Sequence, residues 1–506
     1  MSIIPWADGL RRQAGSFLLL LLATRLAADA PGASRTARIE WVDLPPAIVE
    51  KSPDLRTGYL IVPERRFPAP STRTVRLPFI IMKSRSASPR PDPVLFTAGG
   101  PGGSTLSMAR NRKRNPLLED RDVILFEQRG TKFAEPSLVL PEIDKALRSG
   151  WGRRLNGNPE PAAVRRAMAS ALLKLRIQGV DLAGYTTRES AADLADLRRG
   201  LEISSWNLYG ASYSTKVMLT VLRDHPEGVR SAMLDSVLPL EANWDEEAPA
   251  NILEALDHVL AAAREDDRLR DRCSDLKARF LRRLAQANRH PIKVAIRNPM
   301  DQTPLTVRLD GAGIMNCVYA ALETAGGTRR LPLLLDQVCR GEIQVLAPLL
   351  EDYLGSSQGG AIGMRLAVWC NEEFPFERPA RMLKPRGLPP ELRNFVQTAV
   401  TPVTLQAWPQ GRPEAAENLP VKSAVPVLIA TGEFDPDTPT KWAHATAARL
   451  PNAHLLEFAG MSHVPLFSHP EAARIMKAFL EDPTRHPDPG TIGTRPPFLL
   501  SSDAAK

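Results

Sequence analysis

The chain has 506 residues, 43% of them hydrophobic and 24% charged, with a formal net charge of +8. That apolar content excludes a disordered chain and allows a substantial core, and the length exceeds that of a minimal single domain. The basic surplus is scattered among acids with no run of five or more like charges, which argues for a solvated surface and against a nucleic-acid partner.

In chain order, Arg11 and Arg12 precede an apolar run from Phe17 to Ala23, with small residues at Ala27, Ala28 and Ala30. This layout predicts a secretory signal peptide over residues 1–30 and export to the periplasm or the medium. The run is short for a bilayer span, so an uncleaved N-terminal anchor is the weaker alternative. No second stretch of spanning length follows, and no stable membrane insertion is expected after cleavage.

Residues 31–240 read as the first part of an α/β core. Gly58–Val62 and Thr74–Met82 are expected strands joined by a Pro/Ser/Arg turn. Val94–Thr97 is a short apolar strand running into Ala98-Gly99-Gly100-Pro101-Gly102-Gly103-Ser104. As a phosphate cradle this loop fails, because no Gly-Lys-Ser/Thr follows and the spacing is not G-x-G-x-x-G. As an oxyanion loop it fits, since glycines leave backbone N–H groups free to face a developing negative charge. Asp122–Phe126 is another buried-type strand, leading into Glu127-Gln128-Arg129-Gly130-Thr131. Residues 161–179 and the amphipathic stretch Glu189–Leu201 are expected helices.

Then comes Trp206-Asn207-Leu208-Tyr209-Gly210-Ala211-Ser212-Tyr213-Ser214-Thr215. It reads as strand, small-residue turn, and helix start, close to the G-x-S-x-G elbow that exposes a serine hydroxyl above a sheet. Ser214 replaces the last glycine. Alone, the stretch is equally an ordinary strand-turn-helix with a serine cap. Thr215–His225 is an expected helix and Ser231–Val237 the next strand. Short apolar strands alternating with helices imply a mainly parallel sheet covered on both faces.

From 241 to 408 that rhythm stops. The interval reads as a helical cap inserted into the sheet domain, with helices at 251–265 and 276–288. It holds all four cysteines, Cys273, Cys317, Cys339 and Cys370. In an exported chain they predict two disulfides of undetermined pairing, with four buried free thiols as the alternative. No C-x-x-C spacing, H-E-x-x-H or nucleotide motif occurs, so neither a metal nor an organic cofactor is expected.

Residues 409–482 resume the core. The strand Val425–Gly432 ends in Glu433-Phe434-Asp435-Pro436-Asp437-Thr438-Pro439, a helix spans Lys441–Leu450, and the strand His454–Phe458 ends in Ala459-Gly460-Met461-Ser462-His463. A last helix opens at Pro470, and residues 483–506 read as a flexible tail. Ser212, Asp435 and His463 thus all follow strands, where chemistry sits in open α/β sheets. Their order is that of a Ser-Asp-His triad: nucleophile, orienting acid and general base. The oxyanion donors would be the N–H groups of Gly100 and Tyr213. Asp437 competes with Asp435, but Asp435 comes first after its strand. His444 and His454 fall within a helix and a strand, and helix capping accounts for His469.

Taken together, Gly58–Glu64, Gly99–Ser104, Gln128–Thr131, Gly210–Ser214, Gly432–Pro439 and Ser462-His463 resemble the proline iminopeptidase and tripeptidyl aminopeptidase branch of the α/β-hydrolases, with a TAP-like C-terminal part. The resemblance implies an α/β-hydrolase fold and a serine peptidase that releases one or three N-terminal residues through an acyl-enzyme. The branch usually has Asp, Gly and Gly where Glu127, Lys132 and Ser214 stand, and cysteines near Arg56 and Leu140. It also implies acids in the cap that hold the substrate's ammonium, for which Glu372 and Glu373 are the candidates. The partner would be a peptide. A carboxylesterase acting on small esters is the alternative, and a non-catalytic binding protein on the same scaffold a third reading.

Overall fold

The computed structural model describes residues 37–356, 360–397 and 401–500. The expected signal peptide, residues 1–30, lies outside them. The strands are β1 (Arg38–Trp41), β2 (Leu55–Pro63), β3 (Thr74–Met82), β4 (Val94–Thr97), β5 (Val123–Phe126), β6 (Trp206–Ala211), β7 (Val229–Asp235), β8 (Ile292–Arg297), β9 (Pro304–Leu309), β10 (Val427–Gly432) and β11 (Ala453–Phe458). All but β8 and β9 join one sheet in the order β1-β2-β3-β5-β4-β6-β7-β10-β11.

β1, β2, β3 and β5 pair antiparallel, whereas β5, β4, β6, β7, β10 and β11 run parallel. β4, β5, β6 and β10 are buried at every position, as parallel strands covered on both faces must be. Successive side chains go to opposite layers. Leu208 and Ile429 enter one apolar cluster, and their neighbours Tyr209 and Leu428 the other. The chain order turns at β4, which has β5 on one side and β6 on the other. The loops after β4 and β6 therefore meet at a topological switch point, where such sheets hold their sites.

The sheet carries a mainly helical insertion between β7 and β10, as the sequence predicts, but its residues divide between two cores. Its first part builds a separate core from helices Trp244–Glu265, Leu276–Arg289, Gly311–Leu322, Ala325–Arg340 and Ala347–Ser356, with an antiparallel hairpin of β8 and β9. The hairpin escapes a helix-period reading because it is short and half exposed. The second part, through Met364, Leu366, Val368, Cys370 and Trp408, is buried in the sheet's own core.

Two expectations are corrected. No disulfide forms: Cys273, Cys317, Cys339 and Cys370 are free thiols. Cys370 lies in the sheet core, whereas the other three belong to the insertion's core, so the four do not staple one unit. Burial pushes the Cys317 and Cys370 thiols up to about 12, which keeps both protonated. The tail is not loose as far as residue 500. Ile492 and Phe498 are buried, Arg495 pairs with Glu433 and Glu265, and the Leu499 N–H donates to the Arg329 carbonyl.

Candidate functional site

Ser212 stands alone between the end of β6 and the helix Tyr213–Asp224, with φ 58° and ψ −132°. A non-glycine residue is held there only where its surroundings over-determine it. Its N–H donates to the Asp235 carbonyl at 2.9 Å. The Thr215 hydroxyl donates to the Ser212 carbonyl at 2.7 Å. Ser214, in the glycine position of the motif, ties the turn together. Its Oγ donates to the Ala211 carbonyl at 2.8 Å and accepts from the Ala211 N–H at 2.7 Å. The departure thus braces the elbow.

The glycine loop after β4 lies directly against this turn. A Cβ on Gly99 would come within 2.5 Å of the Ala211 carbonyl oxygen, 3.0 Å of Ser212 Cβ and 3.1 Å of the Tyr213 nitrogen. Only glycine permits that approach. Neither Gly100 nor Tyr213 gives its N–H to any acceptor among the described residues. The Gly100 carbonyl accepts from Arg365 Nη2 at 3.2 Å.

Asp435 and His463 follow β10 and β11, whose ends are pressed together. A Cβ on Gly432 would fall 2.0 Å from the Ser462 carbonyl oxygen, so this position too requires glycine. Asp435 Oδ2 lies 2.8 Å from His463 Nδ1. The same oxygen accepts from the Thr438 hydroxyl at 2.7 Å and the Ser236 hydroxyl at 2.8 Å. Oδ1 accepts from the N–H groups of Asp437 and Thr438, both at 2.9 Å. These donors occupy both oxygens of a buried carboxylate, which suits an orienting acid better than a metal ligand. Burial alone would raise the Asp435 pKa, but His463 and Thr438 outweigh it and hold the group below the usual range.

Burial alone would likewise depress His463. The Asp435 charge and hydrogen bond, with Asp437 and Glu323 behind them, instead raise it to about 10. The Asp437 carboxylate accepts from Tyr319 OH at 2.7 Å, and one atom each of Asp435, Asp437 and His463 lie within 4.8 Å of one another. Ser212 Oγ makes no hydrogen bond to His463 among the described residues; unliganded sites of this kind tighten when substrate arrives.

Backbone strain concentrates here. Ser212, Ser236 and Val464 all have positive φ, at 58°, 60° and 53°. The Val464 N–H donates to Ser236 Oγ at 2.8 Å, so the two strained turns fasten each other beside His463. Ser236 and Thr438 are supports that the sequence reading missed. The signal for Ser236 was a second polar residue directly after Asp235, at the carboxyl end of β7. The competing histidines have other work: His469 Nδ1 accepts from the Glu471 N–H, and His444 pairs with Glu457.

Glu372 and Glu373 are not placed to hold a substrate's ammonium. They sit in a π-type turn, Trp369–Glu373, and are only 6% and 4% exposed. Glu373 pairs with Lys216 of the elbow helix, and Glu372 Oε1 accepts from the Thr187 N–H at 2.7 Å. Burial, with Glu373 and Glu417 nearby, pushes Glu372 up to about 8. Both carboxylates are thus engaged inside the protein. Lys132, a second departure, is exposed, its ammonium over the Phe133 ring at 5.1 Å.

The α/β-hydrolase fold family matches residues 92–306, and a TAP-like protein family matches residues 395–491. The chain has the α/β-hydrolase fold. Its TAP-like segment carries Asp435 and His463, and its α/β-hydrolase segment carries the glycine loop and Ser212. Solved structures with a similar fold include a thermophilic esterase from Thermogutta terrifontis, at 13% identity over 82% of this chain and 96% of that one, TM-score 0.36. An epoxide hydrolase from Bacillus megaterium is 16% identical over 81% and 98%, TM-score 0.36. An esterase from Exiguobacterium antarcticum is 11% identical over 81% and 96%, TM-score 0.36. These likenesses say nothing of this hydrolase's substrate. No curated protein matches the chain. No helix among the described residues is long and apolar enough to cross a membrane.

Proposed function

We propose that this hydrolase is a serine aminopeptidase working through Ser212, His463 and Asp435. The observation that carries the serine chemistry is the 2.8 Å contact of His463 Nδ1 with a fully hydrogen-bonded Asp435, beside a strained Ser212 at the switch point. Ser212 Oγ attacks the acyl carbon and its proton passes to His463 Nε2. The scissile bond breaks as the imidazolium returns that proton to the leaving amine, and water then repeats the sequence to free the acid and Ser212. The Gly100 and Tyr213 N–H groups, without other partners among the described residues, would receive the oxyanion.

Two observations favour a peptide with a free amine. The TAP-like match spans the acid and the base. The groups that act most strongly on His463 are the acids Asp435, Asp437 and Glu323, with Arg365 as the cation beside them, a surplus of acid that suits a cationic substrate end. A carboxylesterase is the second reading, favoured by the absence of a free cap carboxylate at Glu372 and Glu373. Export through residues 1–30 belongs to the proposal; N-terminal sequencing of protein recovered from the medium and the periplasm tests it.

The deciding experiment offers chromogenic peptides with free and acetylated N-termini, together with simple esters, to the wild type and to Ser212→Ala. Cleavage confined to free-amine peptides and lost in the variant supports the aminopeptidase. Equal cleavage of blocked peptides and esters, still dependent on Ser212, moves the protein to the esterases. No turnover and no labelling by a fluorophosphonate would leave a binding protein.

A further inference from the structure

The two residues that follow β5, Glu127 and Gln128, have no part in the triad, yet their side chains reach both stems of the glycine loop. Glu127 is fully buried, and no basic side chain among the described residues pairs with it. Its Oε2 accepts from the Thr105 N–H at 2.9 Å, the Leu106 N–H at 3.3 Å and the Ser104 hydroxyl at 3.2 Å. Its Oε1 accepts from the Phe133 N–H at 3.3 Å. The next residue, Gln128, holds the other stem. Its Nε2 donates to the Ala98 carbonyl at 2.7 Å and to Thr97 Oγ1 at 3.0 Å. Thr105 closes the circuit, its Oγ1 accepting from the Ala98 N–H at 2.9 Å.

We propose that Glu127 and Gln128 are positioning residues that fix the glycine loop, and with it the Gly100 N–H, against the elbow. This rests on the serine-hydrolase reading and adds to it a source of the loop's rigidity.

The physical argument is one of missing alternatives. Residues 99–103 hold four glycines and one proline, so they have almost no side chains with which to lock themselves. Glycine stretches lose the most freedom on ordering, and a donor that wanders stabilises an oxyanion poorly. Something outside the loop must hold it. On one side, Gly99 is pressed on Ala211 and Ser212. On the other, the Gly102 carbonyl accepts from the Ala361 N–H at 3.0 Å. The stems are fixed by the Glu127-Gln128 pair. A carboxylate suits the exit stem because successive N–H groups at the start of the turn Leu106–Arg114 converge on one point, and charge-assisted bonds hold them more firmly than an amide would. A longer acid than the aspartate of the resembling branch alters the reach by one methylene.

The test uses the full chain and three variants, Glu127→Gln, Glu127→Asp and Gln128→Met. Steady-state kinetics on a substrate that the wild type turns over are compared with inhibition by a boronic acid, which bonds to the serine and places an oxygen where the oxyanion forms. Positioning predicts kcat lowered about ten- to a hundred-fold in Glu127→Gln and Gln128→Met with KM within about twofold. The boronate inhibition constant should rise in step with the loss of kcat/KM, and Glu127→Asp should recover most of it. Fluorophosphonate labelling should persist, and thermal melting reports whether each variant folds. Folded variants with unchanged kcat and boronate affinity would overturn the proposal. A wild type that neither labels nor binds boronate would instead overturn the serine reading on which it stands.

Discussion

In the sheet core, Leu208 and Tyr209 leave one strand for opposite layers, and a site forms where two loops emerge side by side. In the insertion's core, Leu276, Phe280, Leu284 and Ala287 share one face of one helix and pack on other helices. Both are apolar and both are large, but the candidate catalytic side chains all belong to the first. Strand ends are fixed by a ladder of backbone hydrogen bonds, so a side chain placed there has little freedom to drift. Helices packed through side chains slide more easily and hold a side chain's position less firmly. Phe434 and Tyr319 join the two, the first reaching from the Asp435 loop into the insertion's core and the second hydrogen-bonding Asp437.

The largest expected effect separates the two regions by function. Ser212→Ala, or Asp435→Asn, should lower kcat about 10,000-fold, worth about 5 kcal/mol of barrier, in hydrolysis assays with any substrate the wild type accepts. Far-ultraviolet circular dichroism should stay unchanged. A smaller loss for Asp435→Asn than about tenfold would move the acid's role to a neighbour such as Asp437.

Stability separates them next. Phe280→Ala should cost about 3–5 kcal/mol, because Phe280 is fully buried in the insertion's core. If the two cores melt independently, calorimetry will show the lower transition alone shifting, and Ser212 will keep its reactivity towards a fluorophosphonate. One transition moving as a whole would join the two cores into one cooperative unit.

The pH dependence sharpens the electrostatic side of the site. His463 acts as a base only when neutral, and its pKa is raised to about 10 against an ordinary 6.5. The kcat/KM should therefore rise with pH to a half-point well above 6.5. Asp437→Asn removes one acid acting on His463 and should lower that half-point. By linkage, the ion pair of His463 with Asp435 stabilises the fold fully below pH 6.5. That contribution is lost as pH climbs through about 10.

The smallest effect concerns Glu372. Its folded pKa of about 8 lies above the ordinary value of 4.5, so the folded state binds the extra proton between them. Stability from this group falls as pH rises across that window and stays low above it. Glu372→Gln keeps the acceptor for the Thr187 N–H and removes the buried charge. It should raise the melting temperature by a few degrees at pH 9 and leave it unchanged at pH 4. An increase in KM for free-amine peptides in this variant would reopen a substrate role.

Much of this was legible in the chain itself. The strands at 74–82 and 94–97, the elbow around Ser212, and the order of Ser212, Asp435 and His463 follow from local rules: apolar runs of strand length, small residues at a tight turn, polar residues just past a strand. Such rules act over a few neighbouring residues, so they survive in a single sequence. The expected helices at 251–265 and 276–288 were legible for the same reason, by their spacing of apolar positions. What those helices pack against, and the division of residues 241–408 between two cores, were decided by contacts between distant segments. So were the fates of the charged and sulfur-bearing side chains. Nothing near Glu373 announces Lys216 as its partner, nothing near Cys370 tells that its cluster holds no second cysteine, and Glu127 shows its four donors only once β4 and β5 lie side by side. Burial and pairing are properties of where a side chain ends up, and only the tertiary structure brings the partner to it.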